Sequence, residues 1–500
     1  MSNITVINTD YIEKPTVDTG FDEIRELVYE GETGAKVTIV VQAFGRLKKT
    51  EECVRSLLEN TRDVSYKLIL VDNGTVGEEI QNFYETVEYA EKRILRITKN
   101  ITGVLAVNYV MKYIDTKYMV IVNNDVIVTP NWLKNLLICA ESDASIGMVC
   151  PVSTNISNNQ WEDLGGFSSV EEMFEKAEEY NKSNPCKWEE RIRLIPTVVL
   201  YRREIFDRVG SYDISFLHDF GDDDYSFRIR REGYKLILCR DTFVHHNHNI
   251  LTMEDKNSSE AFRVSNKGKL DFQKKYKGID AWEDTSNSIA SYLSLLHREE
   301  KLGRRKVLAI EPRCGTPILD LKNYYRQHGI FEVESVAVTS KIEYYIDLKC
   351  ICEEVKVNPS QELGRIYEKY MFDVVAMCEP VNLYERPDKW IKEMYDMVKV
   401  GGALLFPVKN VCDYRNFLYS LNVTALREKN MPKVLYYQDV YEQISKYGAK
   451  DINLVGQNFV VQQEIVDEVQ QLYQKMLGEE DAAQVINNLF IENFWFIIQK

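Results

Sequence analysis

Residues 36–74 read KVTIVVQAFGRLKKTEECVRSLLENTRDVSYKLILVDNG. Two short apolar runs, KVTIVVQAF and YKLILVDNG, flank KKTEECVRSLLENT, in which apolar residues recur at helical spacing, so the stretch reads as strand, amphipathic helix, strand. The same rhythm continues through a helix at GEEIQNFYETVEYA, a strand at RILRITKN, a helix around VLAVNYVMKYI, a strand at YMVIVNND and a helix at NWLKNLLICAE. Short apolar strands alternating with amphipathic helices predict an α/β fold, a mostly parallel sheet covered on both faces.

Working outward, residues 1–34 are expected to form an N-terminal arm with one helix near FDEIRELVYE, and the first domain to span 35–255. Residues 256–304 are polar and helix-prone and read as a helical linker. A second βα series opens at KVLAIEP and closes with ENFWFIIQK, giving a domain over 305–500.

The chain has 500 residues and a net charge of −15, which argues against nucleic acid or an anionic membrane surface as the main partner. No apolar run approaches the length of a membrane span, and the start lacks the basic-then-apolar pattern of a signal peptide; the expected location is cytoplasmic. Ten cysteines are scattered, only Cys350 and Cys352 lying close together, and they read as reduced thiols without a metal.

In open α/β sheets ligands bind at the carboxyl ends of the strands. Here those ends carry QAFGR (42–46), VDNG (71–74), TKN (98–100) and NND (123–125). Asn, Asp and Gly are what turns prefer; four polar ends in succession point further, to a lined cleft. A second concentration of polar residues is LHDFGDDDYSFRIRREGYKL (217–236), with Asp219, Asp222, Asp223 and Asp224 within six positions. Acids in a helix's first turn and Arg228, Arg230 and Arg231 in its last suit the macrodipole. The dipole leaves the crowding unexplained, because adjacent carboxylates repel unless a cation or a proton-transfer task holds them together.

Taken in order, VTIVVQAFGR, LILVDNG, TKNITGVLAVNYV, VIVNNDV, FGDDDYSFRIRREGYKL and FVHHNH resemble the family-two glycosyltransferases of the GT-A fold over residues 36–255. The resemblance implies a nucleotide-sugar donor, of the UDP or dTDP class, over the first four strand ends. Gln42, Phe44, Arg46, Asp72, Asn100, Asn108, Asn124 and Asp125 would form its pocket, with Phe44 and Asp72 near the base and Asn100 and Asn108 shaping the walls. It implies that Asp125 binds Mn²⁺ or Mg²⁺ bridging the diphosphate, with His246 completing the metal shell, and that Asp222 is the general base of an inverting displacement. Such a cation needs only one or two protein carboxylates, phosphate and water supplying the rest. His245, His246 and His248 also read as polar strand-end residues with no ligand role. Gly221 stands where the family commonly has glutamate, and Gly45 where it often has Asn.

Residues 305–500 resemble the class I methyltransferase fold, a Rossmann-like sheet that binds S-adenosylmethionine; FDVVAMCEPVNLYERPDKWIKEMYDMVKVGGALLFPVKN carries the likeness. Two departures argue against cofactor binding. AIEPRCGTPILD keeps Gly315 but has Arg313 and Pro317 at the flanking glycine positions, and VESVAV is followed by TSK, without the acid expected to hold the cofactor ribose. The expectation is a metal-dependent inverting glycosyltransferase acting on a hydroxyl of a glycan or of a protein Ser/Thr such as flagellin. The second domain would hold the acceptor, scaffold the transferase or mediate a homo-oligomer. A bifunctional glycosyltransferase and methyltransferase, and a non-catalytic nucleotide-sugar-binding protein, are the alternatives.

Overall fold

A computed structural model describes residues 4–7, 34–216, 219–247, 259–296, 303–357, 363–415, 433–449, 451–459, 461–478, 485–486 and 488–500. The chain divides into two units, residues 1–285 and 286–500.

In chain order the strands of the first unit are β1 (Ile4–Ile7), β2 (Val37–Ala43), β3 (Tyr66–Asn73), β4 (Lys92–Ile97), β5 (Tyr118–Asn123), β6 (Val126–Ile127), β7 (Ile146–Ser153), β8 (Trp188–Arg191), β9 (Val198–Arg202) and β10 (Lys235–His246). Side chains alternate across a strand, and β2 uses both faces. Val37, Ile39, Val41 and Ala43 enter one core with the helix Leu47–Asn60, while Val40 enters a second core with Ala106 and Val107. Burial on both faces is why these strands are continuously apolar rather than alternating. The sheet has ten strands in the order β1-β4-β3-β2-β5-β9-β7-β10-β6, with β8 also on β10. It is parallel from β1 to β5. Beyond β5 it is mixed, because β9 runs antiparallel to both β5 and β7.

The expected N-terminal arm is partly a strand: β1 pairs in parallel with β4 from Ile4↔Ile94 to Ile7↔Ile97. The β-branched run ITVI suits an edge strand, but four residues without a companion helix left no sequence signal of pairing. The helix expected near 21–30 lies outside the described residues. The segment 256–304, expected as a linker, is shared between the two units. The helix Ser259–Lys275 buries Phe272 against Phe227, ring centroids 5.2 Å apart, and Tyr276, Ile279 and Ala281 are buried after it. These four side chains are embedded in a stretch whose composition is otherwise that of a solvated connector.

The second unit holds a seven-stranded sheet, β11 (Arg305–Ile310), β12 (Val333–Thr339), β13 (Glu354–Val357), β14 (Phe372–Met377), β15 (Val398–Lys409), β16 (Asp451–Asn458) and β17 (Ile491–Gln499). Its order is β13-β12-β11-β14-β15-β17-β16. Five strands are parallel and β17 lies antiparallel between β15 and β16. The strand order reverses between β11 and β14, where a doubly wound sheet opens its crevice.

Candidate active site

A cleft of about 970 Å³ opens at the carboxyl ends of β2, β3 and β5. Gln42, Phe44, Arg46, Asn73, Asn100, Asn124 and Asp125 line one side; Ser157, Asn158, Arg193, Asp219, Asp222, Asp223 and Trp282 line the other.

On the first side the strand-end turns are locked to one another. Asn73 donates to the Thr102 carbonyl (3.1 Å) and to Asn100 Oδ1 (3.4 Å), and accepts from Ile101 N–H (3.2 Å). Gly74 (φ 77°) sits so close behind Asn100 that a Cβ would come 2.1 Å from its nitrogen, so only glycine fits. Gly45 N–H donates to Thr75 Oγ1 (3.0 Å), whose own N–H reaches Asp72 Oδ1 (3.0 Å). Phe44 is half exposed at the mouth, in reach of a planar base.

Asp125 is buried in the turn between β5 and β6. Antiparallel pairing of β10 with β6 sets His246 opposite Val126, and Asn247 N–H donates to the Asp125 carbonyl at 2.8 Å. His246 Nε2 consequently lies 3.4 Å from Asp125 Oδ1, and Arg46 Nη1 donates to Oδ2 at 3.0 Å. His246 Nδ1 is 3.2 Å from the Asn155 carbonyl, an acceptor only, so Nδ1 donates there and Nε2 is the nitrogen that faces Asp125. The donor set, one carboxylate and one imidazole held by its other nitrogen, fits Mn²⁺ or Mg²⁺ whose remaining positions fall to phosphate and water. Among the described residues no group of three His, Cys, Asp or Glu forms an all-protein metal cluster. His245 turns elsewhere: its Nδ1 lies 2.8 Å from Thr154 Oγ1, and burial pulls the imidazole down to about 4. His248 lies outside the described residues.

On the far side the helix Gly221–Arg231 begins at Phe220 (φ 69°), and its first turn separates the three aspartates by role. Asp222 lines the cleft; burial, and next the charge on Asp223, push its carboxyl up to about 7. Asp223 accepts from Arg193 Nη1 (3.1 Å) and Trp282 Nε1 (2.9 Å); burial raises its pKa while Arg193 pulls the other way. Asp224 is fully buried and faces away, taking Arg228 Nε (2.8 Å), Tyr276 O–H (2.7 Å) and Lys275 Nζ (2.5 Å). It clasps the helix Ser259–Lys275 to the helix Gly221–Arg231. Asp224→Ala would leave buried partners unmatched and is expected to cost about 3–5 kcal/mol, read from urea unfolding.

Of the residues named from sequence, Gln42, Phe44, Arg46, Asn100, Asn124, Asp125 and Asp222 share the cleft wall. Two do not. Asp72 lies beneath the turn, bonded to Thr75, and Asn108 commits both ends of its amide to the Tyr212 backbone at 2.9 Å, so neither lines the cleft. Arg193 and Trp282 were missed. Arg193 belongs to no motif; Trp282, a large aromatic in a polar segment, was the one available signal.

Residues 38–210 match the model of the family described as Glycosyl transferase family 2. The first unit carries a glycosyltransferase family 2 domain. This glycosyltransferase domain has the GT-A fold, and the second unit is a doubly wound α/β domain. Over 223 residues, 42% of this chain, the sequence is 24% identical to the O-antigen biosynthesis protein RfbC of Myxococcus xanthus. The aligned part is 17% of that protein, and the chain spans less than a quarter of the length of the curated relatives it matches. A mannosyltransferase from Pyrobaculum calidifontis in complex with GDP-Man and Mn²⁺ aligns over 46% of this chain and 60% of its own, at 17% identity and a TM-score of 0.33. A SAM-dependent methyltransferase from Archaeoglobus fulgidus aligns over 46% of this chain and 99% of its own, at 16% identity and a TM-score of 0.31. Among the described residues no helix is long and apolar enough to cross a membrane.

At the strand ends of the second unit the acidic side chains are engaged by neighbouring groups. Glu311 accepts from Ser340 N–H (2.7 Å) and Thr339 Oγ1 (3.1 Å). Glu379 takes Tyr384 O–H (3.0 Å), Lys341 Nζ (3.5 Å) and Arg313 Nε (3.8 Å). At Gly315 (φ 106°) a Cβ would come 2.2 Å from Cδ1 of Ile351, so the close approach that glycine allows is used by protein rather than kept for a ligand.

Proposed function

We propose that this chain is a metal-dependent inverting glycosyltransferase that moves a sugar from a nucleotide-sugar to a hydroxyl acceptor. The observation that carries the reading is one cleft lined both by Asp125, which His246 backs at 3.4 Å, and by a carboxyl poised near neutrality, Asp222. When bound, the cation would neutralise charge on the departing diphosphate. Arg46, more than half exposed and reaching Asp125, would turn to the diphosphate as the cation takes the carboxylate. Gln42, Asn73 and Asn100 would hold the donor from the strand ends, with Phe44 against the base.

The acceptor oxygen forms a bond to the anomeric carbon as the bond from that carbon to the phosphate oxygen breaks. The electron pair leaves with the nucleoside diphosphate, and the acceptor proton passes to Asp222. Attack opposite the leaving group inverts the anomeric centre. A carboxylate with pKa near 7 suits this work: it is substantially ionised at neutral pH yet basic enough to take the proton. A non-catalytic binder has no need of Asp222, which disfavours that alternative. A hydrolysis and thermal-shift panel of UDP-, dTDP- and GDP-sugars, with and without Mn²⁺, tests the reading; no metal-dependent response to any donor would refute it.

The second unit is proposed to be a non-catalytic module. Two features support this: VESVAV is followed by TSK rather than by an acid, and Glu379 is already engaged by Tyr384, Lys341 and Arg313. Titration calorimetry with S-adenosylmethionine up to millimolar concentration is expected to give no saturable heat, and a measurable affinity would revive the bifunctional alternative.

A further inference from the structure

We propose that Trp282 is the platform of an acceptor subsite that takes a neutral pyranose ring face-on, making the acceptor a carbohydrate; this rests on the transferase reading above. Trp282 stands on the Asp222 side of the cleft, in a segment beyond residues 38–210, and is 41% exposed although Ala281 before it and Phe220 against it are buried. It is held from three directions. One indole face stacks on buried Phe220, centroids 4.6 Å apart and planes 14° from parallel; Nε1–H is tied to Asp223; the backbone N–H donates to Asp280 Oδ1 at 2.9 Å. With one face covered and the edge anchored, the exposed area is the other face. A rigid aromatic face kept open to water inside a cleft is a feature of ligand sites rather than of cores.

The surroundings select the ligand. The π face is electron-rich and attracts the weakly positive C–H face of a sugar ring. Asp219 and Asp222 offer acceptors for hydroxyls on the ring's rim, and Arg193, whose Nη1 is held by Asp223 and whose Nε reaches Thr285 Oγ1 at 3.3 Å, is the cation of this wall. Asp219 and Asp222 beside a guanidinium whose charge is already met by Asp223 disfavour an anionic group such as a lipid diphosphate. An extended peptide presents one hydroxyl at a time and has no flat face to lay on the indole. A pyranose matches both the stacking face and the acidic rim.

The test uses the full chain with the donor identified in the panel, methyl pyranosides as acceptor probes and a Ser/Thr peptide in parallel. Wild type is expected to transfer to at least one pyranoside. Trp282→Ala is expected to raise the pyranoside KM about ten-fold, with nucleotide affinity held within about two-fold, and Trp282→Tyr to recover most of the loss. In a fluorescence titration with the pyranoside, the saturable change of wild type should vanish in Trp282→Phe. An unmoved KM in Trp282→Ala, or transfer to the peptide with none to any pyranoside, overturns the inference while the transferase reading stands. Absence of donor binding in wild type defeats that reading itself and the inference with it. Thermal melts of the variants check folding.

Discussion

Asp222→Asn is expected to lower turnover by about 10² to 10⁴ while leaving nucleotide-sugar affinity nearly unchanged, the signature of a lost general base rather than a lost binding group. Steady-state rates beside donor binding by calorimetry separate the two; an equal loss of affinity would move Asp222 to the donor side. The pH profile adds an independent check. The base works ionised, so wild-type turnover should rise with pH through about 7, where burial and Asp223 have pushed its titration. Asp223→Asn removes that neighbouring charge and should move the rise to lower pH. Stability runs the other way. Folding raises the Asp222 pKa, so the proton is held more tightly in the folded chain; this contribution is whole below the unfolded pKa of about 4 and is lost as pH climbs through about 7. Asn carries no charge to bury, and the inactive variant should melt at or above wild type at pH 8, with the difference shrinking toward pH 4.

Asp125→Ala should abolish the Mn²⁺ dependence of donor binding and lower donor affinity about 100-fold, because the metal-held part of the diphosphate contact is lost. The reason is geometric. Asp125 is the carboxylate at which His246 and Arg46 converge, so its removal leaves the imidazole without its co-ligand and the guanidinium without its anchor. His246→Ala should cause a smaller loss of the same kind, since phosphate and water can fill one vacated position. Donor titrations with and without Mn²⁺ decide it: metal dependence that survives Asp125→Ala removes this residue from the site.

Much of the first unit is legible as pattern. Strand and helix periods in residues 36–142 are local properties, and a parallel sheet puts its strand ends in one place, so QAFGR, VDNG, TKN and NND could be read as neighbours before any coordinates. The mixed half of the sheet was not legible. Whether β9 runs with or against β5 depends on how the excursion between them folds back, and the apolar run VVLYR is the same in either direction. The three adjacent aspartates show the same division: sequence pointed to Asp222, but only the helix's position on the aromatic cluster of Phe272 and Tyr276 decided that Asp223 would hold Arg193 and Trp282, and that Asp224 would turn inward as a structural clasp.

By itself, then, the sequence determined the α/β class, which rests on short-range periodicity, and its ordered motifs carried the family resemblance that implies the candidate pair Asp125 and Asp222. Tertiary structure alone decided the rest. His246 meets Asp125 only because β10 pairs with β6 across more than a hundred residues, Asn108 is spent on the Tyr212 backbone, and Trp282 arrives at the cleft from a segment that reads as a connector. Long-range contacts follow from packing, which sums weak preferences over the whole chain, and no local window contains that sum.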